Sequence, residues 1–122
     1  ACDVFAPCAL GGIIDSDTVQ RLQAKIIAGA ANNQLADPAV GITLREKNIT
    51  YAPDYVINAG GLIHVALSDP HVVQEKIDNI YATLLEIFQR VEKSSLTSNE
   101  IANQMALKIM RRAQTDACAN VA

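Results

Sequence analysis

The chain has no Trp, two Phe and three Tyr, so whatever core it builds is aliphatic. It has no surplus of basic residues either, with 10 Lys and Arg against 13 Asp and Glu and a formal charge of -3. That balance, without any alternation of aromatic and basic residues, argues against a nucleic-acid or anionic-membrane surface. Cysteine is scarce: Cys2, Cys8 and Cys118 form an odd set with neither C-x-x-C nor zinc spacing, which points to a reduced, cytoplasmic protein. His64 and His71 stand on either side of Pro70 with no second ligand at metal spacing, so no metal site is expected. The apolar run VFAPCALGGII is broken by Pro7, Gly11 and Gly12 and follows no basic residue, so it is neither a signal peptide nor a membrane span. No repeat, low-complexity tract or Ser/Gly linker divides the chain.

What remains is a sequence of 122 residues, 50% hydrophobic, enough for one globular domain that removes roughly two thirds of its surface from water. Position 1 is Ala rather than Met, and ACDVFAP starts as though already inside a strand, so a piece of a longer chain, or a trimmed one, is expected.

CDVFAP has the composition of a strand, closed by Pro7. Asp15 or Ser16 caps a following helix with Val19 and Leu22 on its buried side. AKIIAGA is a second strand, apolar throughout and therefore expected to be covered on both faces. Asp37-Pro38 starts a helix that runs to about Lys47. ITYAPDYVI is a third extended segment, interrupted at Pro53. Strand, helix, strand, helix, strand predicts an α/β fold with about three parallel strands joined by crossover helices.

A C-terminal helical segment follows. NAGGLIHVALSD predicts a helix capped by Asn58, and Asp69-Pro70 starts another. There Val73, Ile77, Ile80, Leu84, Ile87 and Val91, with Tyr81, Leu85 and Phe88 beside them, form a stripe wide enough to be buried on two sides. Thr97 and Glu100 make a capping box for a last helix through Ile101, Met105 and Ile109, with Arg111 and Arg112 at its basic end. These stripes mark core packing before any ligand role.

Ligands of parallel crossover sheets bind beyond the carboxyl ends of the strands. The residues found there are Ala6, Pro7, Cys8 and Ala9, then Asn32, Asn33 and Gln34, then Asp54, Asn58, Gly60 and Gly61. These segments are expected to open along one rim. Asn33 and Asn58 each offer a donor and an acceptor, which suits a carboxamide or an amino-acid headgroup. Gly60 and Gly61 leave the first turn of their helix without bulk. Plainer readings stand beside these: Asn58 as a helix cap, Asn32 as a turn residue, Asp54 as a turn former, Cys8 as a small buried residue. No general base, Ser–His–Asp arrangement or G-x-G-x-x-G is present. The residues alone therefore define a binding half-site.

At APCALGG, GAANNQL and YAPDYVINAGG the chain resembles the Glu/Leu/Phe/Val dehydrogenases, and within them the leucine dehydrogenase branch. The likeness extends through NEIANQMALKIMRRA, essentially the whole chain. It implies an NAD-dependent oxidative deamination of an L-amino acid to a 2-oxo acid. It also implies a partial Rossmann-like domain, with residues 1–69 its distal half and 70–122 the C-terminal helices packing on it. By the resemblance, Pro7, Cys8 and Ala9 line the nicotinamide-ribose side, and Asn32 and Asn58 belong to the cofactor-facing wall. Asn33 then reaches the substrate headgroup, and Leu62 and Val65 line the pocket for an aliphatic side chain. Ala30 departs from the family's usual Ser and His64 from its Asn, and Leu67 to His71 lacks the usual acidic residues and Tyr. The family's catalytic Lys and Asp, and its dinucleotide fingerprint, are not in this chain.

Two functional expectations follow. One is a fragment of a leucine or branched-chain dehydrogenase, supplying one wall of the reaction and inactive alone, with NAD binding weak or absent. The other is a stand-alone, non-catalytic module of the same fold, made oligomeric through the exposed edge of CDVFAP or by swapping helices.

Overall fold

The computed structural model describes residues 1–119, with side chains to residue 115, so the thiol of Cys118 lies outside the described residues. Strands β1 (Cys2–Phe5), β2 (Ala24–Ile27) and β3 (Thr50–Tyr51) form a parallel sheet in the order β1-β2-β3. Helices α1 (Ser16–Arg21) and α2 (Val40–Glu46) connect them, giving the α/β fold expected from the alternation of elements. Of the two expected caps, Asp15 and not Ser16 caps α1, accepting the N–H groups of Asp17 at 3.1 Å and Thr18 at 2.7 Å. Asp37-Pro38 instead forms a turn, closed by the Ala39 N–H on Asp37 at 2.7 Å, and the helix proper starts at Val40.

A sheet that grows in one direction through crossovers of one hand carries its helices on one face. Phe5, Ile27 and Tyr51 are in register and pack with Val19, Val40 and Leu44. Val4, Ile26 and Thr50 are in register on the other side, and all three are exposed. The expectation that β2 is covered on both faces is therefore corrected. Ile27 is sealed while Ile26 is 39% exposed. An apolar run supplies apolar side chains to both faces whether or not both are covered.

A second correction concerns the third extended segment. β3 ends at Tyr51, and after Pro53 the residues Asp54–Ile57 form a one-turn helix, α3. Helix α4 (Gly60–Ala66) is entered through Ala59, without a side-chain cap. Asn58 is the C-cap of α3 rather than the N-cap of α4, because its side chain is engaged across the sheet edge, as described below.

Asp69 caps the long α5 (Pro70–Glu92), and Thr97 with Glu100 forms the expected reciprocal box before α6 (Ser98–Ala119), at 2.8 and 3.4 Å. The α5 stripe is buried on one side only. Val73 and Ile87 are buried, whereas Tyr81 and Leu85 are exposed, since α3, α4 and α6 pack along a single side of α5. Ile109 is exposed too, so α6 is buried at Ile101 and Ala102 and loses cover beyond Met105. Arg45 on α2 donates to the carbonyls of Ser94 and Leu96 and so ties the helix packed on the sheet to the turn between α5 and α6. Among the described residues no helix is long and apolar enough to cross a membrane.

Candidate functional site

The three loops that leave the carboxyl ends of β1, β2 and β3 are bonded to one another. The N–H of Ala31 donates to the carbonyl of Pro7 at 2.9 Å, and that of Gly12 to the carbonyl of Asn33 at 2.7 Å. Gly29 lies so close to the backbone of Pro7 that any Cβ there would overlap it, so glycine is required by the approach of the first loop to the second. The third loop closes on the second through two side chains. Asp54 accepts the N–H of Asn33 at 2.8 Å, and the Nδ2 of Asn58 donates to Asn32 Oδ1 at 2.6 Å and to the Ala30 carbonyl at 3.3 Å. Segments distant in sequence thus form one rim, as the sheet topology requires.

The consecutive amides of the second loop have different tasks. Gln34 is fully buried, and its Nε2 donates to the carbonyls of Gly29 at 2.7 Å and Ala31 at 2.9 Å. It braces the loop from inside and does not belong to the rim where the sequence placed it. Burying an amide costs about 1–3 kcal/mol when it is left unpaired, and here the two donated bonds offset that cost for the NH2 end, while the buried Oε1 has no partner among the described residues. Asn32 and Asn33 are exposed, and Asn33 takes the left-handed backbone at φ 52, which Asn tolerates better than most residues. Asn32 therefore does more than close a turn, because its side chain is bonded to Asn58.

Asp54 is likewise no simple turn former. It is 8% exposed, and besides Asn33 it accepts the Tyr51 hydroxyl at 2.7 Å. Burial first, and then the Asp54 carboxylate, push the Tyr51 hydroxyl above the usual phenol range. Burial, followed by the charge of Asp54, pushes Tyr55 up to about 12. Both phenols stay protonated near neutrality, so neither is a general base there.

Cys8 was expected to be buried and is exposed; the inner place is taken by the buried Pro7, which turns its neighbour outward. Ala6 and Ala9 are exposed beside it. On α4, Leu62 is 74% exposed and Val65 85% exposed, one turn apart, and nothing lies within 4 Å of a Cβ built on Gly60 or Gly61. The rim therefore presents amides and small residues on one side and two bare aliphatic side chains on the next helix. Sequence reasoning missed the Tyr51–Asp54 pair. The available signal is local, a Tyr three residues before an Asp with Pro53 between them.

The whole chain, residues 1–122, matches the family described as Glutamate/Leucine/Phenylalanine/Valine dehydrogenase. The phenylalanine dehydrogenase of Caldalkalibacillus thermarum (strain TA2.A1) is 52% identical over 106 residues, 84% of this chain and 29% of that protein. The leucine dehydrogenase of Thermoactinomyces intermedius is 43% identical over 121 residues, 93% of this chain and 33% of that protein. The crystal structure of L-tryptophan dehydrogenase from Nostoc punctiforme superposes with a TM-score of 0.83 at 46% identity, covering 93% of this chain and 36% of that one. This chain spans about a third of the length of these relatives.

Proposed function

The chain belongs to the Glutamate/Leucine/Phenylalanine/Valine dehydrogenase family, with leucine dehydrogenase among its near relatives, and from that premise we propose that it is part of an NAD-dependent L-amino-acid dehydrogenase of leucine or branched-chain type. In this reading it is the wall that faces the nicotinamide and the substrate. The observation that carries the proposal is the bonding of the three loops at the carboxyl edge of the sheet, sealed by Asn58 on Asn32. We divide the chain at residue 69, with the sheet and its rim before it and the α5–α6 helices packing on that part.

The rim suits a nicotinamide carboxamide. Both hydrogens of Asn58 Nδ2 are engaged, on Asn32 and Ala30, which leaves Asn58 Oδ1 as an acceptor and Asn32 Nδ2 as a donor. A primary carboxamide carries the complementary donor and acceptor. Pro7, Cys8 and Ala9 would line the ribose side of the same group. Asn33 would hold the headgroup of the amino acid, and Leu62 and Val65 would meet its side chain, which favours aliphatic substrates over charged ones. The chemistry a bound dinucleotide supplies is acceptance of a hydride from the amino acid's α-carbon. This chain's own part is to orient the two reactants and keep water from the wall. No residue of it is assigned a catalytic role.

A second reading is favoured by one observation, the bare face carrying Val4 and Ile26 beside the edge of β1, which pairs with no further strand among the described residues. Such a surface supports a non-catalytic module that associates with its own copies. Two measurements test the main proposal. Mixing the chain with NAD and L-leucine is expected to give no NADH absorbance; turnover would contradict the absence of catalytic residues here. Calorimetry is expected to show NAD binding in the millimolar range, since the sequence carries no glycine-rich pyrophosphate motif. Micromolar binding would overturn that expectation.

A further inference from the structure

We propose that Asp54 is the positioning residue of the rim, its buried carboxylate fixing Asn33 while Asn58, one turn later, fixes Asn32. The arrangement follows from helical spacing. The Asn58 N–H closes the turn on the Asp54 carbonyl at 2.9 Å, and residues four apart leave a helix on the same side. Both side chains therefore meet the loop after β2, and they grip two consecutive residues of it.

Each carboxylate oxygen of Asp54 has one donor, Asn33 N–H on Oδ2 at 2.8 Å and the Tyr51 hydroxyl on Oδ1 at 2.7 Å. Bonds to a charged acceptor are stronger than neutral ones, and this acceptor is almost wholly buried. Asn33 is also held from the other side, its carbonyl accepting Gly12 N–H at 2.7 Å. Those two bonds maintain the left-handed backbone at φ 52 and so set the direction in which the Asn33 side chain leaves the chain. The far side of α3 is anchored in turn. The Tyr55 hydroxyl bonds the Asn99 carbonyl at 3.1 Å and Asn103 Oδ1 at 2.9 Å, and Val56 packs with Ile87 and Ile101. The α3 turn thus carries the position of α6 to the rim.

This inference draws on the reading of Asn33 as a headgroup ligand for its functional consequence, whereas the positioning itself is testable without ligand. Amide NMR of the isotope-labelled chain is the experiment. In Asp54→Ala the Asn33 amide is expected to exchange with solvent at least about tenfold faster, and the side-chain NH2 signals of Asn32 and Asn58 to shift. Ile27 and Ile101 are expected to keep their exchange rates, which a general loss of stability would not allow. Asp54→Asn retains a neutral acceptor and is expected to restore part of the protection, with the Asn33 amide proton moved upfield. Should Asp54→Ala fail to fold, Asp54→Asn decides alone. An Asn33 signal unchanged from the wild type in the variants that fold would overturn the proposal. With millimolar L-leucine added, the Asn33 signals of the wild type are expected to shift, and those of Asp54→Ala to lose that response. A wild type that ignores leucine would count against the headgroup reading, while the ligand-free spectra still decide the role of Asp54.

Discussion

The side-chain amide of Asn58 donates to Asn32 Oδ1 across 2.6 Å, joining the loop after β3 to the loop after β2. Neither residue is spent on capping the next helix, which is what leaves one donor and one acceptor of the pair facing outward. Asn58→Ala is expected to cost about 1 kcal/mol in urea unfolding, the ordinary net worth of partly exposed hydrogen bonds. The Asn32→Ala and Asn58→Ala double-mutant cycle is expected to show a coupling of about 0.5–1 kcal/mol. Strict additivity would mean that the bond is absent in solution.

Gln34 supports this pair from beneath. Gln34→Met keeps the length of the side chain and removes both donors together with the unpartnered Oε1, leaving the Gly29 and Ala31 carbonyls without their donors. Two buried acceptors so stranded are expected to cost about 2–4 kcal/mol. The urea midpoint reports the loss; a midpoint equal to that of the wild type would show that other bonds hold the loop.

The start of α6 is expected to respond to acid. The Glu100 carboxyl is held below its ordinary value of 4.5, first by the Thr97 N–H and then by the Thr97 hydroxyl. A carboxyl with a depressed value in the folded state stabilises fully above its unfolded value, and that contribution is lost as pH falls through the folded one. Asp15, lowered chiefly by the Thr18 N–H, acts with the same sign at the start of α1. Urea midpoints are therefore expected to fall below pH 4.5, and Glu100→Gln to flatten the dependence. A variant with the full wild-type pH dependence would exclude Glu100 as a contributor.

The open face of the sheet is expected to drive association. Val4 is 51% exposed on an edge strand, in register with the exposed Ile26. Light scattering at about 100 micromolar is expected to detect oligomers of the wild type, with Val4→Lys shifting the balance toward monomer. A wild type that stays monomeric would remove the support for the second functional reading.

The parallel sheet, its crossovers and the caps at Asp15, Asp69 and Thr97 were legible because each rests on local chemistry or on periodicity. Burial was legible only by half. The pattern of Ile26-Ile27, or of Tyr81 beside Ile80 and Leu84, records which side chains are apolar, whereas exposure depends on what packs there. The rim followed from topology, but the parts within it did not. Asn58 resembles a helix cap in sequence because capping is a local bond, whereas its observed partner is 26 residues away. The same holds for Asp54, whose contact with Asn33 spans 21 residues, and Gln34 was misplaced because three amides in a row look alike until the chain folds around one of them.

Mapping millimolar NAD and L-leucine onto the amide spectrum of the chain tests the shared wall most directly. Signals from Cys8, Ala9, Asn32, Asn33 and the side chain of Asn58 are expected to move together, with those of Tyr81 and Leu107 unaffected. Spectra in which these rim signals stay still, or in which only α5 and α6 respond, would contradict the account.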